Sequence, residues 1–385
     1  MYQASPLIQN FFSSQLFLAL MMSIAFMPIL KRIGVNLKLV DHPGGRKQHE
    51  SSVPLVGGPA IFLACAISLY VWGVPNEFYG MAVAVTGLFI LGLLDDRFDV
   101  SAKIRLFSQT ILIASALYWD NNWISSIQIS ESYTLQFSWF QYPLTIIYIL
   151  GLTNAINMLD GLDGLSSGIS LIILGFIISI SSIALASDIT LISLCLFGAV
   201  LGFWAYNYRF SWRKKASVFM GDSGTMLLGF LLPFLAIKLS NVAPSEAPKS
   251  ILLWLFAIPI WDICAVVIKR IREKKSPLQA GREHVHHVLM RAGLSVRQSL
   301  HLIYLLTISA ISFGISLKYF NTSLLESFSI YLIFMVIYLG RVGSLTQKPN
   351  TQVYDFNRFG ERREPILLDD DVVVDIERKR TNTIS

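Results

Sequence analysis

The chain has 385 residues, of which 54% are hydrophobic and 15% are charged, and its formal net charge is +6. With a mean hydropathy of +0.56, this composition excludes an ordinary water-soluble protein of this length. The apolar runs are continuous and do not alternate, which favours spanning helices over a β-barrel. An excess of Lys and Arg can indicate nucleic-acid binding. In a membrane protein, however, their distribution among loops is more informative, and we expect no nucleic-acid partner.

Continuous apolar runs predict an all-α polytopic membrane protein with about eleven transmembrane helices, because most runs approach the roughly 20 residues that a spanning helix needs. The first run lacks a basic leading segment and a cleavage site, so we expect a retained span and not a signal peptide. Residues 344–385 are polar and predict a poorly ordered tail behind a transmembrane domain of residues 1–343. In chain order, the runs lie at 11–30, 55–74, 79–94, 104–119, 142–158, 165–186, 189–207, 222–240, 250–268, 299–317 and 325–342.

Lys and Arg are concentrated in alternate loops. Before the tail, most of them fall in segments 31–54, 97–105, 209–215 and 269–297, whereas the intervening loops are nearly free of cations. By the positive-inside rule, the basic loops face the cytoplasm. We therefore predict that the N-terminus lies outside the membrane and that the C-terminus lies inside.

Three short acidic motifs, at 94–99, 157–164 and 219–224, each adjoin an apolar run. Carboxylates beside hydrocarbon are costly unless they bind cations, pair with bases or line a water-filled cavity. The charge-based topology places all three motifs on the cytoplasmic side. The sequence therefore predicts one site, assembled from several helices, that holds a divalent metal through oxygen ligands and binds phosphate.

The first motif contains Asp95, Asp96 and Asp99. Asp95 and Asp99 would share a helix face if the helix continued through them. Adjacent carboxylates can serve as a general base, as a metal-positioning group or as a clamp on a lysine. The alternative is a solvated helix end, neutralised in part by Arg97 and Lys103.

In the second motif, Asn157, Asp160 and Asp163 are spaced by three, which on a helix would align an amide and two carboxylates along one ridge. The alternative is a turn of Asp-Gly pairs between two spans. In the third motif, Asp222 opens a span and is either a helix N-cap or a carboxylate directed at metal or phosphate. Phe219 is either an interfacial anchor or an aromatic face for a nucleobase.

Two basic segments on the same side suit phosphate. Arg282, His284, His286 and His287 can hydrogen-bond to a diphosphate, and a zinc site is disfavoured because no Cys or acidic partner has ligand spacing. The alternative is a solvated basic loop at the lipid headgroups.

The loop at 41–58 contains Arg46 and Lys47 among glycines and prolines. The turn residues predict an ordered loop whose cations hold a phosphate, and the alternative is a positive-inside anchor.

Together, the stretches 94–105, 218–224 and 284–293 resemble the polyprenyl-phosphate N-acetylhexosamine-1-phosphate transferase family. The resemblance covers about 41–300, and the hydrophobic pattern extends it to about 342. The His-x-His-His form at 284–287 is similar to the GlcNAc branch of the family. Thr225 departs from the family's pattern, which has Ser at this position.

The resemblance implies a multi-pass enzyme of the bacterial inner membrane, with a periplasmic N-terminus. A lipid phosphate, undecaprenyl phosphate, would attack the β-phosphorus of UDP-GlcNAc and release UMP, in the first membrane step of O-antigen or related polysaccharide synthesis. Mg²⁺, or Mn²⁺ as a substitute, would be held by Asp222 and Asn157, and a homodimer is a family-level expectation. The implied catalytic residues are Asp95, Asp96, Lys47 and Lys103, and the implied substrate-binding residues are Asp160, Asp163, Phe219, Arg282, His284, His286, His287, Asp99 and Arg46.

Three alternatives stay open at this point. The same chemistry could act on another UDP-N-acetylhexosamine, either a 6-deoxy sugar or MurNAc-pentapeptide. An ion-coupled transporter is disfavoured, because its carboxylates would lie near mid-span. Within the transferase reaction, we favour direct attack over an aspartyl-phosphate intermediate. A phosphate monoester with a second pKa of about 6 is already largely dianionic at neutral pH, so a strong base is not required.

Overall fold

The computed structural model describes residues 6–41, 52–130, 133–213, 215–276, 283–320 and 322–346. These residues form a bundle of α-helices with two short antiparallel hairpins. The helices are α1 (Pro6–Asn36), α2 (Gly57–Trp72), α3 (Tyr79–Phe98), α4 (Ala102–Trp119), α5 (Gln141–Leu159), α6 (Leu165–Ile183), α7 (Ser187–Asn207), α8 (Gly221–Val242), α9 (Ile251–Leu255), α10 (Ala257–Arg272), α11 (Val285–Arg291), α12 (Val296–Tyr319) and α13 (Leu324–Thr346). The strands are β1 (Val40–Asp41), which pairs with β2 (Val53–Pro54), and β3 (Ser126–Ser130), which pairs with β4 (Tyr133–Gln136).

Each of the eleven apolar runs is helical over most of its length, so the predicted all-α class is confirmed. Within the described ranges, eight helices are long and apolar enough to cross a membrane: α1, α3, α5, α6, α7, α8, α12 and α13. Helix α2 is apolar but has only 16 residues, and the ninth run is split into α9 and α10. The fold is that expected of a multi-pass membrane protein, while the count of eleven spans and their orientation stay predictions. Helix α13 ends at Thr346, and the tail beyond it lies outside the described residues.

Helix α8 forms the centre of the bundle. Its side chains are buried on every face, and α2, α3, α5, α6 and α7 pack around it. A helix that is apolar all round belongs in a core. Outer faces of α5 and α13 expose large apolar side chains: Ile147 and Val336 are each 67% exposed, as expected where a surface faces lipid.

Glycines bring α2 and α3 into backbone contact with the start of α8. A Cβ at Gly92 of α3 would lie 2.3 Å from the Cα of Ser223, and one at Gly58 of α2 would lie 2.4 Å from the nitrogen of Gly224. Only residues without a side chain permit this approach. The end of the bundle where α3 and α5 finish and α8 begins, hereafter the site end, is therefore held by direct backbone packing.

Exposed aromatic side chains surround the opposite end of the bundle. Aromatic belts mark the boundary between hydrocarbon and water, because one end of each ring system is apolar and the other is polar. Exposed aromatic side chains near helix ends are therefore expected at a membrane surface. The exposed members are Tyr70, Tyr79, Tyr118, Trp119, Trp139, Tyr142 and Tyr319.

The ninth run breaks at Phe256, which leaves the helical region with φ −114° and ψ 21°. Pro259 follows in the first turn of α10, where its missing N–H is tolerated. An aromatic cluster buries the break: the Trp254 ring lies 6.4 Å from Trp261 and 5.3 Å from Tyr331 of α13, measured between ring centroids. Helix α10 is therefore separate from α9, and the break between them is packed against α13.

Candidate active site

The three acidic motifs, which are far apart in the chain, come together at the site end. Asp96 lies at the end of α3, Asn157 in the last turn of α5 and Asp222 in the first turn of α8. Hydrogen bonds link Asp222 both to Asp96 and to Asn157. The structure thus brings the motifs into the single cluster that the sequence predicts.

Asp96 caps the start of α8 from the neighbouring helix. Its Oδ1 accepts the backbone N–H of Asp222 at 2.7 Å, and its Oδ2 accepts that of Ser223 at 3.2 Å. These N–H groups have no partner within their own helix, and a carboxylate there also interacts favourably with the helix dipole. Met220 occupies the N-cap position without a side-chain cap. The alternative in which Asp222 is the N-cap is therefore wrong, and its carboxylate is used elsewhere.

The Asp222 carboxylate faces Asn157. Asn157 Nδ2 donates to Asp222 Oδ1 at 2.5 Å and to Thr225 Oγ1 at 2.7 Å. Because Thr225 lies one turn after Asp222, the amide is held by two residues of the same helix. The spacing of three residues between Asp222 and Thr225 places both on one helix face, and this spacing was the sequence signal for the role of Thr225.

The Asp222–Asn157 pair fits a hard divalent cation. In the part of the chain that the structure describes, no group of three or more His, Cys, Asp or Glu side chains is placed to hold a metal. Mg²⁺ does not require one, because it usually keeps several waters and takes one or two carboxylates together with substrate phosphates. With Nδ2 committed, the amide oxygen of Asn157 has no hydrogen-bond partner among the described residues and is a suitable donor.

Asp95 is buried and fully engaged. Its Oδ1 accepts the Val100 N–H at 2.8 Å, and its Oδ2 accepts from Arg105 of α4 at 2.9 Å. Helix α3 ends where Asp99 enters the left-handed region at φ 53°, so Asp95 and Asp99 do not continue one helix face. Asp99 and Lys103 are exposed. The basic partner that the sequence analysis missed is Arg105, although it falls within the motif at 94–105.

Asp160 follows the last residue of α5, so the predicted helical ridge through Asn157, Asp160 and Asp163 is wrong and the turn of Asp-Gly pairs is correct. The side chain is half-buried. Burial, followed by the charges of Asp222 and the other nearby carboxylates, raises the pKa of Asp160 to about 8. Both causes favour the protonated form, as expected for a carboxyl group removed from water beside other carboxylates.

Asp163 joins two loops at the site end. Its Oδ2 accepts from Arg209 Nε at 2.6 Å and from the Ala216 N–H at 3.0 Å. The turn after α5 is thereby tied to the segment between α7 and α8. Asp163 has an evident structural role, and its contribution to substrate binding stays a prediction.

The segment at 284–287, hereafter the histidine segment, packs against the second acidic motif through His286 and Gly161. His286 is 1% exposed, and a Cβ at Gly161 would lie 2.4 Å from its Nε2. Neither ring nitrogen of His286 has a hydrogen-bond partner among the described residues. Burial, followed by the charge of the adjacent histidines, holds the pKa of His286 well below its usual value. The rings of His284 and His286 are parallel at 5.9 Å, and His287 lies 4.2 Å from His286.

Phe219 lies beside the end of the loop at 41–58. Its N–H donates to Pro54 at 2.9 Å, and its carbonyl accepts the Gly57 N–H at 2.9 Å. Its ring is half-buried, and stacking on a base stays a prediction. Of the other predicted site residues, Arg46, Lys47 and Arg282 lie outside the described residues.

Several known proteins are similar in sequence to this chain over most of its length. A protein of Bacillus subtilis (strain 168), "Probable undecaprenyl-phosphate N-acetylglucosaminyl 1-phosphate transferase", is 32% identical over 345 residues, 87% of this chain and 92% of that protein. The "Undecaprenyl-phosphate alpha-N-acetylglucosaminyl 1-phosphate transferase" of Escherichia coli (strain K12) is 31% identical over 297 residues, 76% and 80% of the two chains. The protein of the same name from Yersinia pestis is 29% identical over 295 residues, again 76% and 80%.

Residues 78–240 match the family described as Glycosyl transferase family 4. This region runs from the start of α3 to the end of α8 and contains all three acidic motifs. The resemblance stated from the sequence is thereby confirmed, and the chain belongs to glycosyl transferase family 4.

Proposed function

We propose that the protein transfers GlcNAc-1-phosphate from UDP-GlcNAc to undecaprenyl phosphate, giving undecaprenyl-diphospho-GlcNAc and UMP. The observation that supports this best is the pairing of Asp222 with Asn157 inside a cluster of carboxylates. A cluster of negatively charged carboxylates suits a metal-bound diphosphate. The names of the similar proteins suggest that the diphosphate belongs to a nucleotide derivative of N-acetylglucosamine. The O-antigen pathway stays an expectation.

Asp222 and Asn157 would hold Mg²⁺, or Mn²⁺ in its place. When bound, the ion supplies charge neutralisation for the diphosphate and for the departing UMP. Asp96 keeps Asp222 in place by anchoring the backbone of its helix. Lys47, Lys103, Arg46, Arg282 and the three histidines at 284–287 would bind substrate phosphates, and Asp160, Asp163 and Phe219 would bind the nucleotide.

Direct displacement suits the environment of Asp95. In this step an oxygen of the lipid phosphate forms a bond to the β-phosphorus, and the bond from that phosphorus to the UMP oxygen breaks, leaving its electron pair with UMP. Both oxygens of Asp95 already accept hydrogen bonds, one of them from Arg105. Asp95 would therefore orient Arg105 toward phosphate instead of attacking phosphorus. Recovery of a phosphorylated enzyme after incubation with UDP-GlcNAc but no lipid would contradict this step.

The site end would face the cytoplasm of a bacterial inner membrane, with the N-terminus in the periplasm. Support comes from the basic residues at this end, which include Arg97, Arg105, Arg209 and Arg213. The soluble nucleotide sugar would arrive from water, and the lipid phosphate from the bilayer. A homodimer stays an expectation.

The direct test is transfer of label from UDP-[³H]GlcNAc into lipid by the purified protein with undecaprenyl phosphate and Mg²⁺. We expect lipid-linked label and UMP in equal amounts, and a loss of about 100-fold or more in Asp222→Ala. Glu246→Ala, an exposed carboxylate at the opposite end, is the matched control. Transfer from a different UDP-sugar, but not from UDP-GlcNAc, would contradict the proposed donor.

A further inference from the structure

Asp262, a residue that the sequence analysis did not single out, holds the start of the histidine segment. It is 1% exposed on α10. Its Oδ2 lies 2.7 Å from Nδ1 of His284, and its Oδ1 accepts the Val285 N–H at 2.7 Å. The Tyr338 hydroxyl of α13 donates to the same Oδ1 at 3.5 Å. A buried carboxylate is thus shared between a ring and the backbone beside it.

A second contact fixes the same segment to the same helix. Arg270 of α10, 3% exposed, donates to Glu283 at 2.8 Å. Residues Glu283, His284 and Val285 are consecutive, and all three are bound by α10. The aromatic cluster at the start of α10 packs this helix against α13. The His284 ring is therefore held by contacts to a packed helix as well as by its own segment.

The Asp262 carboxylate also determines which nitrogen of the His284 ring is available to bind a substrate. When the Asp262 carboxylate is ionised it can only accept hydrogen bonds, and the contact at 2.7 Å then requires a proton on Nδ1 of His284. The other nitrogen, Nε2, makes no hydrogen bond to a described residue. A ring with Nδ1–H committed in this way can donate to a phosphate oxygen only as the imidazolium, through Nε2–H. The negative charge of Asp262 balances that cation.

We propose that Asp262 is a positioning residue of the transfer reaction, which fixes the His284 ring and its charge so that Nε2–H donates to a phosphate of the sugar nucleotide. This inference rests on the proposed function. Asp262 touches no substrate in this arrangement and acts through His284 alone. The competing explanation is that Asp262 only anchors the backbone of α11 through the Val285 N–H.

Asp262→Asn separates the two explanations. The amide has the same shape, and its oxygen can still accept the Val285 N–H, so the backbone anchor is kept. Its NH₂ group can donate to Nδ1, which moves the ring proton to Nε2, and it no longer supplies a negative charge. We expect kcat/KM for UDP-GlcNAc to fall about 10- to 100-fold, the same range as for losing a residue that orients a metal-binding histidine.

A double-mutant cycle tests whether the effect runs through His284. Asp262→Asn should cause no further loss in a His284→Ala background, and an equal loss there would overturn the inference. Ser327→Ala is the matched control, because it removes a buried hydrogen bond to Trp254 in the same cluster without touching Asp262. It should keep kcat/KM within about twofold.

Ring-nitrogen NMR of ¹⁵N-His protein saturated with UDP-GlcNAc gives a readout that does not need turnover. We expect both nitrogens of His284 to carry protons in the unsubstituted protein and only one in Asp262→Asn. An unchanged His284 signal would overturn the inference. Absence of lipid-linked product in the unsubstituted protein would instead contradict the proposed function, and the same NMR comparison without nucleotide would still show whether Asp262 sets the protonation of the His284 ring.

Discussion

The carboxylate of Asp96 holds the backbone of Asp222, with Oδ1 only 2.7 Å from the Asp222 nitrogen. The two residues are 126 positions apart in the chain. One acidic residue therefore positions another without any side-chain contact between them being required. Adjacent carboxylates in the first motif consequently have different tasks, since Asp95 binds Arg105 while Asp96 supports α8.

Asp96→Ala removes both hydrogen bonds to the start of α8. We expect a loss of about 0.5–2 kcal/mol in the free energy of unfolding, which is the range for losing a helix cap. The Mg²⁺ concentration for half-maximal transfer should also rise, because Asp222 is no longer held. Mg²⁺ titration of the transfer assay measures this, with Glu246→Ala at the opposite end of the bundle as the control. Equal Mg²⁺ dependence in both variants would contradict the assigned role.

Thr225 should matter through its hydroxyl group. Thr225→Val keeps the shape but removes the acceptor of the second Asn157 hydrogen bond, and we expect Mg²⁺ affinity to fall about 10-fold. Thr225→Ser keeps the acceptor and should retain nearly full affinity. Mn²⁺ binding followed by electron paramagnetic resonance gives both affinities directly. A Ser variant as weak as the Val variant would contradict the assigned role, because it would show that the hydroxyl group alone does not hold Asn157.

Metal-free stability should depend on pH through Asp160. Its pKa of about 8 compares with about 3.9 in an unfolded chain. Between these values the folded protein holds a proton that the unfolded chain has lost, so its stability falls as the pH rises through that window. Asp160→Asn removes this difference in bound protons between the folded and unfolded states. In EDTA, its melting temperature should decline less from about pH 5 to about pH 8 than that of the unsubstituted protein. Parallel declines would contradict the shifted pKa.

Gly92→Ala should weaken the site end. The added methyl group would lie 2.3 Å from the Cα of Ser223, and relieving such overpacking costs about 1–3 kcal/mol. Gly175→Ala on α6 is the matched control, because nothing lies within 4 Å of its Cβ position. That control should gain about 0.5–1 kcal/mol from its helix propensity. Thermal unfolding in detergent distinguishes the two, and equal shifts would rule out the steric explanation.

The sequence predicted the helices well, because continuous apolar runs and the length of a span leave few alternatives. It also predicted that the three acidic motifs would meet, since the alternation of basic loops placed them on one side. The break at Phe256 was missed, although Pro259 three residues later was a signal for it. The hydropathy of an apolar run shows that the segment is buried or faces lipid. It does not show whether the helix is interrupted within the run.

The partners within the site could not be predicted. Hydropathy and charge patterning report which end of a span a residue occupies, but not which neighbouring helix it faces. Arg105 in place of Lys103 as the partner of Asp95, and Asp262 as the partner of His284, depend on that packing. Asp262 in particular lies within an apolar run, where a single carboxylate has no periodic pattern to mark it.

The glycine contacts among α2, α3 and α8 also limit how this enzyme can be altered. At Gly58, Gly92 and Gly224, every other amino acid would add atoms where a neighbouring backbone or side chain already lies. Variants from a saturation library at these positions should therefore be destabilised, and more so as the side chain grows, whatever donor is supplied. Efforts to change the sugar that the enzyme accepts should therefore leave Gly58, Gly92 and Gly224 untouched.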